Sequence, residues 1–279
     1  MNARVNQEII RNEAEAAARY YIGRPDGDLY KEKDFPAEVT NAKKAYISIN
    51  TAMGNDTSEA DRFNERKKQT PGLFTPLGVK NMVSLYVSIF RAAKADSKHM
   101  GYETVRACRQ TEVTEGTFFV GPFTSTTKLS VKEIMELGYG NKNGLAICRY
   151  NFHDGAIVFD MEEFFGNDYP KAEEREVLIL PGTKLVARCS GYDDRYLGKD
   201  NKPALVYDID VYEPEFIAAS RSVEELEEIV YNENTLRKVQ QFYTALNDFE
   251  SGFPAVPDCY PQWKACFKEL VFSKLSELT

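Results

Sequence analysis

Two patterns of hydrophobic spacing divide the chain. In "FPAEVTNAKKAYISINTAMG", residues Val39, Ala42, Tyr46, Ile49 and Met53 recur at helical intervals, with Pro36 near the start and Gly54 as a stop. In "PLGVKNMVSLYVSIFRAAK", Val79, Met82, Val83, Tyr86 and Phe90 form one stripe, which predicts a core-facing helix. The polar stretch "GNDTSEADRFNERKKQTPG" between them reads as a loop or a short exposed helix. At Gly101 the period changes. "YETVRACRQ", "GTFFVGPFTSTT", "GLAICRY", "GAIVFD", "EEREVLIL", "TKLVARCS" and "PALVYDIDVYE" are short runs rich in β-branched and aromatic residues, bounded by Gly, Pro, Asn and Asp. One helix is expected among them, "SVKEIMELG", with Ser130 and Glu133 at capping-box spacing and Gly138 as its stop. Past residue 215 the helical period returns. A second capping box stands at Ser222 and Glu225, and a last helix from about Pro261 is expected to bury Trp263, Cys266, Phe267 and Leu270.

This order predicts three regions: a helical lobe over 1–100, a strand block over 101–215 and a helical extension over 216–279. Segregated elements imply an α+β chain with antiparallel strands, not a doubly wound βαβ sheet. No G-x-G-x-x-G follows a strand, so a Rossmann dinucleotide site is not supported.

Composition narrows the chemistry. The 279 residues carry a formal net charge of −8, and no dense run of Lys or Arg offsets it. That argues against a nucleic-acid binder, whose affinity rests on neutralising phosphates. The five cysteines include no C-x-x-C pair, and neither His99 nor His153 stands at metal-ligand spacing from them, so no metal is expected. Cys108, Cys148 and Cys189 lie in strand-like runs and read as small core residues. The N-terminus lacks the apolar segment of a signal peptide, and no apolar run is long enough to span a membrane. A soluble protein made in the cytoplasm is expected, with export by a signal-independent route left open.

Three features then fall in order within the strand block. An arginine ends or precedes the end of "TVRACRQ", where both Arg106 and Arg109 qualify. "GPFTSTTK" follows, with Phe123 ahead of four hydroxyl residues, Thr124, Ser125, Thr126 and Thr127. "AEEREVLILPGTKLV" closes the set with Glu174 and Glu176, which strand alternation would put on one face with Leu178. Each feature is weak alone. Two neighbouring carboxylates repel, so the pair is either wet and trivial or has a task.

Together the three features resemble the R-S-E class of ADP-ribosyltransferases, which carries an arginine on its first core strand, then F-x-S-T-S, then E-x-E. The resemblance covers roughly residues 100 to 190, and the N-terminal helices resemble the lobe that precedes this core in bacterial toxin-like members. Thr127 departs from the motif, since it stands where the family has serine. The resemblance implies an ADP-ribosyltransferase-like antiparallel β-sandwich core and NAD as substrate, with no metal. It implies that Arg109, preferred over Arg106, binds the NAD pyrophosphate, and that Glu176 stabilises the cationic ribose, oriented by Ser125. Phe123, Thr124, Thr126 and Thr127 would shape the NAD wall, with core packing equally open for Phe123. Glu174 would meet an arginine acceptor on a protein partner, and Tyr169 would be either a target-recognition aromatic or a plain turn residue. "GYGNKNG", Gly138 to Gly144, is either an ordinary turn or a loop that adjusts near the dinucleotide. An NAD glycohydrolase using the same site, a non-catalytic NAD-binding module and an adaptor protein are the competing expectations. No membrane or nucleic-acid partner is expected.

Overall fold

The computed structural model describes residues 2–22, 45–54, 69–95, 103–166, 172–216, 219–248 and 252–279. In chain order the helices and strands are α1 (Asn2–Ile22), α2 (Ala45–Met53), α3 (Pro76–Ala95), β1 (Thr104–Arg109), β2 (Gly116–Phe119), β3 (Thr124–Thr127), α4 (Val131–Glu136), β4 (Leu145–Phe152) and β5 (Val158–Asp160). There follow α5 (Met161–Phe165), β6 (Glu176–Ile179), β7 (Thr183–Leu197), β8 (Pro203–Pro214), α6 (Val223–Val230), α7 (Glu233–Asp248) and α8 (Tyr260–Ser276). The architecture is α+β, as the segregated spacing predicts. The chain forms two compact units, Met1–Ala92 with Phe216–Thr279, and Ala93–Glu215.

The first unit is helical, and its core is aromatic. Phe74 stacks on Tyr243 with ring centroids 4.6 Å apart and meets the edge of Trp263 at 5.7 Å. Trp263 stacks in turn on Phe267, and its indole N–H donates to the Val230 carbonyl at 3.1 Å. A buried indole needs such a partner, because an unsatisfied donor would offset part of the gain from burying the ring. On α3 the predicted stripe is buried throughout, from Val79 to Phe90. The helix begins tightly against the turn before it: a Cβ at Gly78 would lie 2.3 Å from the Leu73 carbonyl oxygen, so only glycine fits there. After Ser222 the helical run first breaks between Val230 and Glu233, where Asn232 Oδ1 accepts from the Thr235 N–H and restarts the helix. Of the helix expected over "FPAEVTNAKKAYISINTAMG", only its second half lies among the described residues.

The second unit holds one eight-stranded sheet, in the order β2-β7-β8-β4-β1-β3-β6-β5. All neighbours are antiparallel except β4 and β8. One face carries a continuous apolar cluster that includes Cys108, Cys148, Tyr150, Ile179, Leu185 and Ile209. Cys108 and Cys148 are buried as expected, but Cys189, opposite Tyr207 in the β7–β8 hairpin, is exposed. "GTFFVGPFTSTT" forms two strands that pair with different partners, β2 with β7 and β3 with β1 and β6. Helix α4 begins with the Ser130–Glu133 capping box and stops at Gly138, whose φ of 85° suits a left-handed cap. The short helix α5 was not expected, although Asp160 before it is an N-cap signal; its carboxylate accepts from the Glu162 and Glu163 N–H groups.

Truncation of the buried ring in Trp263→Ala is expected to destabilise the protein by about 3–5 kcal/mol. Urea unfolding checks this, with the midpoint falling while the slope stays unchanged.

Candidate functional site

Strand register determines which of the singled-out residues meet. Val105 of β1 lies opposite Thr127 of β3, and Thr127 lies opposite Glu176 of β6. Directly paired residues share a face, and alternate residues along a strand do the same. Ala107, Arg109, Ser125, Thr127, Glu176 and Leu178 are therefore on one face of the sheet. Arg106, Thr124, Thr126 and Val177 are on the other, which continues into the apolar cluster.

Two of the hydroxyl residues hold the strands together. Thr126 is buried, and its Oγ1 donates to the Val177 carbonyl at 2.9 Å. Thr127 Oγ1 donates to the Glu174 carbonyl and accepts from the Leu129 N–H at 3.0 Å. The hydroxyl at 127 is thus used, and the extra methyl of threonine does not prevent it. Phe123 is almost wholly buried. Thr124 and Ser125 are half-buried in the strand.

Glu174 is not in a strand. Ala172–Glu174 form a 3-10 turn, and β6 begins only at Glu176. The expectation of strand alternation across the pair fails at Arg175, whose φ of 45° puts it in the left-handed region. That conformation costs a residue with a Cβ about 1–2 kcal/mol. The compensation is visible. Arg175 Nε donates to Glu162 Oε2 at 3.2 Å, and Lys128 Nζ reaches Glu162 Oε2 at 2.5 Å and Asp160 Oδ2 at 2.9 Å. The Lys128 N–H also donates to the Arg175 carbonyl at 3.2 Å. Hydrogen bonds from Lys128 and Arg175 hold the Glu162 carboxyl below its usual pKa, with its partial burial opposing.

Tyr139, in the loop after α4, was not singled out from the sequence. Burial first, then the nearby carboxylates of Glu174, Glu176 and Glu173, push its phenol pKa above the ordinary value. The phenol therefore stays neutral across the physiological range. The loop "GYGNKNG" thus brings Tyr139 within electrostatic reach of the glutamate pair, a proximity no local pattern announces.

The two arginines of β1 have different surroundings. Arg106 Nη1 donates to the Ser125 carbonyl at 3.3 Å, and its Nη2 pairs with Glu112 at 3.2 Å. The Arg109 side chain is exposed at the strand end, on the face of Ser125 and Glu176, and its N–H donates to the other oxygen of Glu112 at 3.2 Å. Tyr169 lies outside the described residues. Among the described residues, no group of three or more His, Cys, Asp or Glu is placed to hold a metal ion, and no helix is long and apolar enough to cross a membrane.

No protein-family model matches the chain, and no curated protein does. Among solved structures it is similar to Vis toxin, an ADP-ribosyltransferase from Vibrio splendidus, at 11% identity over 76% of this chain and 85% of that one, with a TM-score of 0.35. It is also similar to Plx2a, an ADP-ribosyltransferase toxin from Paenibacillus larvae, at 11% identity over 75% and 97% of the two chains, with a TM-score of 0.37. A domain of Salmonella SpvB gives 12% identity over 74% and 98%, with a TM-score of 0.34. At these values the likeness assigns neither family nor activity.

The electrostatics around Glu162 have a sign. Its pKa in the folded state is depressed, so its contribution to stability is present above the unfolded carboxylate value and is lost as pH falls through the folded one. Glu162→Gln is expected to be less stable than wild type at neutral pH, with the difference shrinking on acidification below the usual glutamate range. Thermal unfolding of both proteins across that range checks the convergence.

Proposed function

We propose that the chain is an NAD-dependent mono-ADP-ribosyltransferase that modifies protein arginine and releases nicotinamide. The single observation that supports this most is the shared sheet face of Arg109, Ser125 and Glu176, with Glu174 in the turn beside it. The order of the motifs along the chain is the second support.

The chemistry follows from these side chains. The NAD pyrophosphate calls for a guanidinium, whose fork binds two oxygens at once, and Arg109 is the assigned group. Arg106 is the weaker choice because it sits on the opposite face and is engaged by Glu112 and the Ser125 carbonyl. The bond that breaks joins the nicotinamide nitrogen to the ribose carbon. Its electron pair leaves with nicotinamide, which departs neutral from a cationic ring and needs no general acid. The ribose centre becomes oxocarbenium-like, as in glycoside hydrolysis. Glu176 stabilises that charge more in the transition state than in the ground state and holds the ribose 2′-hydroxyl. Ser125 orients Glu176. A nitrogen of the acceptor guanidinium then bonds to the ribose carbon, and its proton goes to Glu174, which first attracts the cation. Water in place of the acceptor gives NAD hydrolysis at the same site.

The deciding experiment is nicotinamide release from NAD by the purified protein, with and without agmatine as an arginine analogue. Release that rises with agmatine is expected. Glu176→Gln is expected to reduce both transfer and hydrolysis by about 100-fold or more. Appreciable retained turnover would overturn its role. Glu174→Gln is expected to lose transfer and keep some hydrolysis, and parallel loss of both activities would overturn the division between the glutamates.

The arginine assignment has its own check. Arg109→Lys is expected to raise the KM for NAD about tenfold more than Arg106→Lys does, since lysine keeps the charge and loses the fork. The reverse order, read from steady-state kinetics, exchanges their roles.

A further inference from the structure

The two glutamates are held by different means. Glu176 is a ladder residue, paired with Thr127 across β3 and β6. Glu174 lies outside the ladder, one residue before the left-handed Arg175. Its direction depends on that turn. Two backbone hydrogen bonds define the turn locally: the Arg175 N–H donates to the Ala172 carbonyl at 3.1 Å, and the Arg175 carbonyl accepts from Lys128 N–H at 3.2 Å. Left-handed arginine persists only where its surroundings over-determine it.

Those surroundings converge on one carboxylate. Glu162 Oε2, from the first turn of α5, takes both the Arg175 guanidinium at 3.2 Å and the Lys128 ammonium at 2.5 Å. Lys128 is the residue after Thr127, so it ties the Glu162 carboxylate to the end of β3. Asp160 completes the arrangement, capping α5 while its second oxygen pairs with Lys128 at 2.9 Å. Lys128 and Asp160 are close to fully buried at their side chains, at 12% and 5% exposed, which makes this a built cluster and not a solvated surface pair.

We infer that Glu162, with Lys128, is a positioning residue for the acceptor glutamate: it clasps the Arg175 turn and so aims Glu174 at the incoming guanidinium. The inference rests on the functional reading above. The clasp selects between acceptors. Held, Glu174 meets arginine; released, it leaves Glu176 in its ladder, and water competes for the same ribose centre.

The test uses the full chain with NAD and agmatine as probes. Glu162→Gln is expected to lower agmatine-dependent transfer about tenfold, while hydrolysis falls less than about threefold and the KM for NAD stays within about twofold, because misplacement acts on the acceptor step alone. Amide exchange read by mass spectrometry is expected to quicken at Arg175 and Lys128, the donors of the turn, and to stay unchanged at Val177 and Leu178 in the ladder. A second change separates aiming from general loosening. Asparagine tolerates the left-handed region, so Arg175→Asn in the Glu162→Gln background is expected to restore much of the transfer-to-hydrolysis ratio. A Glu162→Gln protein with unaltered ratio and unaltered exchange overturns the inference while leaving the functional reading intact. Equal loss of transfer and hydrolysis also overturns it, as does a double variant that recovers nothing. A wild type that releases no nicotinamide overturns the functional reading itself, and the claim about acceptor choice with it.

Discussion

Thr127 and Glu176 face each other across the β3–β6 ladder, and the other site residues take their positions from that pairing. The register is hard to slip. A shift by one residue would turn Val177, which is fully buried, toward the opposite face and carry Glu176 into the apolar cluster. Burying a carboxylate there without a partner would cost far more than the ladder bonds return. The hydroxyl run adds a second lock, because Thr126 donates to the Val177 carbonyl from the buried side while Thr127 donates to the Glu174 carbonyl from the other. One strand thus fastens both faces of its neighbour.

From this pairing outward, control passes from backbone to side chains. Glu176 is positioned by the ladder, which is stiff. The Glu174 carbonyl is held by the Thr127 hydroxyl and the turn after it by side-chain ion pairs, which are individually weaker and can rearrange. The division matches the chemistry proposed for each residue. A carboxylate that stabilises a developing charge gains from rigidity, since preorganised groups cost no reorganisation as the bond breaks. A carboxylate that receives an acceptor must admit a second macromolecule, and a turn fastened by side chains can yield where a strand cannot.

Much of this arrangement was legible in the sequence, for physical reasons that differ by element. The α3 stripe and the capping boxes at Ser130 and Ser222 are local: spacing alone dictates them, and they occur as expected. The motif residues were legible as a set because their order along the chain is specific where each alone is not. What stayed hidden is imposed from a distance. E-x-E read as strand alternation because nothing in "AEERE" announces a left-handed arginine; that conformation is sustained by Glu162, thirteen residues earlier in the chain. Tyr139 comes near Glu174 only through the fold, so its loop read equally as an ordinary turn or as one that adjusts near the dinucleotide. Helical periodicity likewise said which faces of the flanking helices are buried without saying what covers them, and the aromatic stack of Phe74 on Tyr243 and Trp263 joins residues far apart in sequence.

The clasp also bears on charge. It contains two cationic side chains, Lys128 and Arg175, and two carboxylates, Asp160 and Glu162, all within ion-pair distance of a partner. Its cations are therefore spent on its own acids. Lys128 and Arg175 face Asp160 and Glu162, so the clasp adds no net charge beside the two glutamates. Tyr139 likewise contributes no charge near Glu174, since its phenol is pushed above its ordinary pKa. An internally neutral clasp can hold the turn without altering the field at Glu174 and Glu176, which a scaffold with an unmatched cation would do.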